Sequence, residues 1–325
     1  MKSAATYFNK ILNMTPQIRA TKNISMLKHP NGLLLEMEDG GVRYQYFVQS
    51  MPTLAKSIEI PFTDIYGRKK ISGYNVTDVD ITICAEDGDS TSTYHLLENK
   101  EETFKPFARL DIDMLADALY GASSFAKKGM HPYNQLMFMT FMPKTLSVYA
   151  GTDISVVRNR QEADVFAGKY IGVENSFVPK IKKWLNYAND PKNGGGDTVW
   201  ISMFENQMKL QVLNCTIIFP ISSLPSYKTI VQKFDNLLDY RYEKEEYDLD
   251  WEDLRKAIKT KSELIPMANG EMLRTFIADF VNHYSLQGCD VYKLNTKANA
   301  MLFEGDFCRA ILTLKNKDEE TEQSE

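Results

Sequence analysis

One coarse unit recurs along this chain, and it constrains the fold more than any motif does. The unit is a helix followed by strands that meet at a tight turn, repeated at roughly 50–65-residue intervals. The first copy opens with Tyr7, Phe8, Ile11, Leu12 and Met14 at helical spacing within residues 3–20. It continues with "GLLLEMEDGGVRYQYFVQS", whose "EDGG" between two strand-like runs is a hairpin signal. "KSIEIPF" reads as a further strand, and "FTDIYGRKKIS" as a short helix weakened by Gly67. "DVDITICAEDGDSTSTYHLL" is then strand, turn, strand. The third copy begins with "LDIDMLADALYGASSFAKKG", where Ile112, Leu115, Leu119 and Ala122 share a helix face, and passes into "NQLMFMTFMPKTLSVYAGTD". The fourth has "NSFVPKIKKWLNYAND", with Pro179 in its first turn, a "KNGGGD" loop, and alternating strands around "FENQ".

Two units make a domain, so the expected domains are 1–104 and 105–236. A third, 237–317, has helices for two units ("LDWEDLRKAIKTKSELI" and "NGEMLRTFIADFVNHYSLQG", the latter stopped by Gly288) but only three strands, in "CDVYKLNTKANAMLFEGDFCRAILTLK". It therefore reads as shortened. "YRYEKEEYD", residues 240–248, is the expected linker, and 318–325 an acidic, disordered tail. The class is α+β.

Composition narrows the function classes. With 43% hydrophobic and 25% charged residues the chain can bury a sizeable core, and a net charge of −5 excludes a uniformly basic nucleic-acid binder. The four cysteines, Cys84, Cys215, Cys289 and Cys308, form no zinc motif or disulfide framework. No secretory leader is read at the start, and no apolar run approaches the ~18 residues of a membrane span, so a cytoplasmic protein without membrane contact is expected. His29, His95, His131 and His283 stand in no metalloprotease motif, and "KNGGGD" lacks the Gly-Lys-Ser/Thr of a phosphate-binding loop. "DVD" (78–80), "DLDWED" (248–253), Asp111 and Asp113 fit strand starts and helix starts better than metal sites. No catalytic residue, metal or cofactor is expected.

Basic residues recur beside the helices: Lys10 and Arg19, Arg68 to Lys70, Lys127 and Lys128, Lys180, Lys182 and Lys183, and Lys256, Lys259 and Lys261. Any one cluster is a solvated face, but recurrence in every unit could line one concave surface with positive charge. Such a surface would hold a phosphate backbone without reading bases.

Several weak motifs in one order carry a resemblance. "FARLDIDMLADALYGASSFA", "YNQLMFMTFMPKTLSVYAGTDISVVRNR" and "VWISMFENQMKLQVLNCTIIFPISSLPSYKTIV" resemble the first helix, a hairpin and the end of the middle domain of the bacterial sliding clamps, the beta subunits of replicative DNA polymerase. The family's Ala-Thr-Asp matches Ala150, Thr152 and Asp153 with Gly151 inserted, and its Phe-Pro-Asp-Tyr matches Leu224, Pro225, Ser226 and Tyr227. "GLLLEMEDGGVRYQYFVQS" and "DITICAEDGDSTSTYHLL" are similar to its first domain, and the stretch from "MLRTFIADF" to "AILTLK" to the end of its third.

The resemblance implies a clamp fold and a ring around duplex DNA, built as a homo-oligomer, with two chains expected. It also implies a hydrophobic cleft where DNA polymerase, clamp loader and repair proteins dock a short peptide. Carried over by position, the cleft would include Tyr133, Thr152, Val156, Val157, Pro225, Ile230 and Ile311, with Arg309 beside them. The DNA-facing cations would be Lys10, Arg68, Lys69, Lys127, Lys182, Lys183 and Lys256. Ile154-Ser155 replaces the family's Gly-His, and "AILTLK" with an acidic extension replaces its Met-Pro-Met-like ending. Such departures suit a divergent clamp encoded by a phage or mobile element, acting in a bacterial or host cytoplasm. Two other classes stay open: a metal-dependent nuclease using the carboxylates above, and a β-rich structural or interaction protein of clamp-like fold that does not encircle DNA.

Overall fold

The computed structural model describes residues 23–49, 53–65, 68, 71–98, 102–123, 125–126, 132–151, 155–193, 195–246, 289–294 and 299–314. The expected helices within 3–20 and 249–288, and the tail 318–325, lie outside the described residues. In chain order the elements are β1 (Asn23–His29), β2 (Gly32–Asp39), β3 (Val42–Val48), β4 (Ile58–Pro61), β5 (Gly73–Val76), β6 (Asp80–Cys84), β7 (Ser90–Thr93), β8 (His95–Leu96) and β9 (Lys105–Asp111). Then come α1 (Ile112–Ser123), β10 (Leu136–Met142), β11 (Thr145–Gly151), β12 (Ser155–Glu162), β13 (Asp164–Val165), β14 (Lys169–Glu174) and α2 (Val178–Asn189). The remainder are β15 (Thr198–Phe204), β16 (Gln207–Val212), β17 (Cys215–Pro220), α3 (Ser226–Leu238), β18 (Lys244–Glu246), β19 (Asp290–Leu294), β20 (Asn299–Glu304) and β21 (Cys308–Leu314).

They form two compact units, one of residues 1–112 and 179–220, the other of 113–178 and 221–325. In the first unit one sheet runs β9-β15-β16-β17-β3-β2-β1-β4-β8. Strands such as β3 and β16 alternate buried and half-exposed residues, so one face is core and the other meets solvent, whereas β17 is buried on both faces. The "EDGG" hairpin forms as expected: Asp39 pairs with Val42, and Gly40 and Gly41 at φ 53° and 77° make the left-handed two-residue turn that matches strand twist. Lys180 of α2 donates to the Asp39 carbonyl at 2.7 Å and stands 3.1 Å from its carboxylate, tying α2 to that turn. Pairing of β17 with β3, from Cys215 opposite Tyr46 to Ile218 opposite Arg43, joins two chain segments far apart in sequence. A separate three-stranded sheet, β5-β6-β7, contains the second expected hairpin.

The second unit is built on the sheet β14-β10-β11-β12-β21-β20-β19-β18. Here β12 pairs with β21, from Ser155 opposite Leu312 to Asn159 opposite Cys308, again joining distant segments.

Three local expectations need correcting. The short helix in "FTDIYGRKKIS" is a single 3-10 turn, Phe62–Asp64, among the described residues. "FARLD", expected inside a helix, belongs to β9; its backbone groups are taken by β15, and the helix starts only at Ile112. The linker "YRYEKEEYD" contains β18, which pairs with β19, because the edge of that sheet offers its backbone a partner. Strands β1 and β14 and helix α3 were not read from the sequence at all.

Candidate functional site

Three residues expected in a peptide cleft, Val156, Ile230 and Ile311, meet where α3 covers one face of the second unit's sheet. On adjacent strands Phe138 stands opposite Tyr149, Val156 opposite Ile311 and Ile311 opposite Leu302. Because residues alternate across a strand, these pairs share one face. They form a cluster with Leu294, Ala300 and the α3 residues Tyr227, Val231, Phe234 and Leu238, and Ile230 packs half-buried against it. The α3 residues recur at helical spacing, a signal in "SYKTIVQKFDNLL" that would have located the helix. The Phe138 ring meets Tyr227 and Phe234 edge-on, at centroid distances of 5.1 and 6.1 Å.

Polar ties fix α3 at both ends. Before its N-terminus Ser222 and Gly172 of β14 exchange backbone hydrogen bonds of 2.7 and 2.9 Å, and the Ser222 and Tyr227 hydroxyls are 2.7 Å apart. Ser223 donates to the Tyr170 carbonyl at 3.1 Å. At the other end Arg158 of β12, with a side chain only 5% exposed, donates to Asp235 at 2.7 Å and to both carboxylate oxygens of Asp239 at 2.8 Å. The Tyr149 hydroxyl donates to Asp235 at 2.9 Å. Arg158 and Arg309 stand directly opposite each other on β12 and β21, an arrangement that alone would repel. Asp239 resolves it, lying 3.6 Å from Arg309 as well. Arg309 also pairs with Glu304 at 3.3 Å, and Glu304 with Lys244 at 2.8 Å, whose ammonium lies 3.8 Å above the Tyr292 ring.

Titration follows this geometry. Burial opposes the charge on Arg158, but its hydrogen bonds to Asp239 and Asp235 outweigh it and raise its pKa further. The Arg158 hydrogen bond holds the Asp239 carboxyl below the usual carboxylate range, against a smaller opposing effect of burial. Burial, then the neighbouring Asp235 charge, pushes the Tyr149 phenol up to about 12.

Of the expected cleft residues, the fold brings together Val156, Ile230 and Ile311. Val156 and Ile311 are 2% and 3% exposed, a floor beneath α3 rather than an open wall. Pro225 is exposed at the start of α3, beside Leu224, which is 54% exposed. Val157 is also buried but projects to the opposite face of β12, away from this group, because strand alternation separates it from Val156. Tyr133 has its backbone in a 3-10 turn and its side chain outside the described residues, as is Thr152. Arg158, Asp235 and Asp239 were missed; only the charge in "VVRNR" hinted at them.

Among the expected DNA-facing cations, Lys182 and Lys183 are exposed on α2. Arg68 is not on a helix: it reaches Asp87 at 4.0 Å and the Gly88 carbonyl at 3.4 Å, at the turn between β6 and β7. Lys10, Lys69, Lys127 and Lys256 lie outside the described residues. Among the described residues no group of three or more His, Cys, Asp or Glu side chains could hold a metal, and no helix is long and apolar enough to cross a membrane.

No protein-family model matches the chain. One curated relative, the phosphoenolpyruvate carboxykinase [GTP] of Thermococcus kodakarensis, is 27% identical over 128 residues, which is 39% of this chain and 18% of that protein. The chain thus spans under a fifth of that enzyme's length. Solved structures match over nearly the whole chain. A structure from Eubacterium rectale assigned to the DNA polymerase III beta subunit superposes with a TM-score of 0.72 at 11% identity, covering 97% of both chains. The beta subunit of Streptococcus pyogenes DNA polymerase gives 0.69 at 10% identity, over 96% of this chain and 97% of that one. The DNA polymerase sliding clamp of Bacillus subtilis gives 0.68 at 11%, again over 96% and 97%. At that distance in sequence, what is shared is the architecture: this chain has the fold of the bacterial sliding clamps.

Proposed function

We propose that the protein is a non-catalytic DNA sliding clamp: a processivity factor that encircles duplex DNA and tethers a polymerase through a hydrophobic peptide site. The observation that carries this is the match of fold along 97% of the chain to a protein assigned to the DNA polymerase III beta subunit, end to end on both sides. On this proposal the chain divides into clamp domains 1–104, 105–236 and 237–317. The pairings β3–β17 and β12–β21 are then the places where a sheet continues from one domain into the next. The peptide site lies at the second of these, with Leu224, Pro225 and Ile230 on its surface and Val156 and Ile311 supporting α3 from beneath. Each buried anchor side chain of a partner would contribute about 1.5–3 kcal/mol. Tyr133 and Thr152 complete the site, and Lys182 and Lys183, with Lys10, Lys69, Lys127 and Lys256, face the DNA phosphates without reading sequence. The clamp loader would use the same site, two chains would close the ring, and the protein would act in the cytoplasm.

Negative-stain electron microscopy of the purified protein tests this. Closed rings with a hole wide enough for duplex DNA are expected. Solid particles or monomers, even with a circular DNA and a loader supplied, would overturn it. The second reading, an interaction protein of clamp fold that does not encircle DNA, draws on two observations. The exposed face of α1 carries Asp113 and Asp117, acid where a channel helix would carry base, and Arg68 is engaged by Asp87.

A further inference from the structure

We infer that Arg158 is the positioning residue of this peptide site, setting the tilt and roll of α3 over the β12–β21 seam and so where Ile230 stands relative to Val156 and Ile311. The inference rests on the proposal that this face is a peptide site. It starts from a difference between two kinds of contact. The apolar stripe of Tyr227, Val231, Phe234 and Leu238 draws α3 onto the sheet, but hydrophobic contact is non-directional and tolerates sliding or rotation of the helix. A guanidinium gripping a carboxylate through two parallel hydrogen bonds fixes register and orientation. Arg158 makes that grip on Asp239 and adds a third bond to Asp235, one helical turn earlier.

Arg158 is also two residues from Val156 along β12, so it projects from the face that carries the floor of the site. The far end of α3 is held separately, by the Ser222–Gly172 bridge and Tyr227. The helix has 13 residues, and at about 1.5 Å per residue it acts as a bar of about 20 Å held at both ends. Release of the Arg158 end leaves the bar packed but free to pivot and roll about its Ser222–Tyr227 end, so Ile230 shifts over the seam while Pro225 moves least. The partner site is then mis-set while the fold survives.

The test compares peptide affinity with stability in full-length variants. The probe is a fluorescein-labelled hexapeptide with two leucines and a terminal phenylalanine, read by anisotropy, with its all-alanine counterpart as control. Arg158→Met keeps the apolar stem and removes the fork; Arg158→Lys keeps the charge without the paired hydrogen bonds. Methionine is expected to weaken the probe by about tenfold and lysine by about threefold, with faster amide exchange across residues 226–238. Val148→Ala, a buried change on the opposite face of β11, supplies a destabilised control whose affinity stays within about twofold of the parent. If Arg158→Met does not fold, Asp239→Asn, at a half-exposed position, carries the comparison with an expected loss of about threefold. Variants that lose stability yet bind the probe as the parent does would overturn the inference and leave the peptide site standing. If the parent does not prefer the probe to its alanine counterpart, the peptide site itself falls, and the inference with it.

Discussion

Arg158 shows how a single buried charge can be worth keeping. Its side chain is 5% exposed, so its desolvation must be matched by partners, and it has three hydrogen bonds to two carboxylates. Those carboxylates remain 32% and 47% exposed, so water screens the pair and can resolvate them when the arginine is removed. Arg158→Met should therefore lower the unfolding free energy by about 2 kcal/mol, less than the ~3–5 kcal/mol seen when a fully buried pair is broken, as urea titration would measure. The pH dependence has a definite sign. Asp239 has a folded pKa below its unfolded value, so it contributes stability that is complete above the unfolded value near ~4 and is lost as pH falls through the folded one. The stability difference between the parent and Asp239→Asn should stay constant from about pH 8 to 5 and shrink below about pH 4, as urea titrations across that range would reveal.

At the scale of elements, α3 depends on a close approach that only glycine allows. A Cβ on Gly172 would lie 2.8 Å from the Ser222 hydroxyl oxygen and 2.8 Å from the Tyr227 ring, so any side chain there pushes the start of α3 off β14. Gly172→Val should cost about 1–3 kcal/mol by overpacking and lower the melting temperature. Gly73→Ala, where a Cβ would meet nothing within 4 Å, should be close to neutral by the same measurement. The helix itself was legible in "SYKTIVQKFDNLL", where Tyr227, Val231, Phe234 and Leu238 fall on one face. Its role was not, because the sheet that faces it is assembled from β10, β11, β12, β20 and β21, strands up to about 170 residues apart along the chain.

At the scale of the whole molecule the proposed function makes a prediction about charge. A net charge of −5 keeps nonspecific attraction low, so on the proposed function contact with DNA would fall to localised cations such as Lys182 and Lys183. If those two face phosphates, the double variant Lys182→Glu/Lys183→Glu should reduce the slope of log affinity against log salt by about 2, read by anisotropy with a labelled duplex over a salt series. An unchanged slope would place α2 away from the DNA path. The long-range pairings β3–β17 and β12–β21 belong to this scale too. Each commits backbone hydrogen bonds across a wide sequence gap, a slow and late event in folding.

The sequence by itself determined the local elements. Alternation located the hairpins around Gly40-Gly41 and Pro143-Lys144, and the apolar spacing of Ile112, Leu115 and Leu119 located α1, because backbone geometry imposes those periods wherever one face is buried. Only the tertiary structure decided the rest. That Val156 and Val157 serve opposite faces follows from the register of β12, and that Arg158 belongs to α3 follows from a packing 77 residues long in sequence. The expected linker became β18 and "FARLD" became β9 for one reason: an unpaired sheet edge claims any backbone that can hydrogen-bond to it, whatever the local residues prefer.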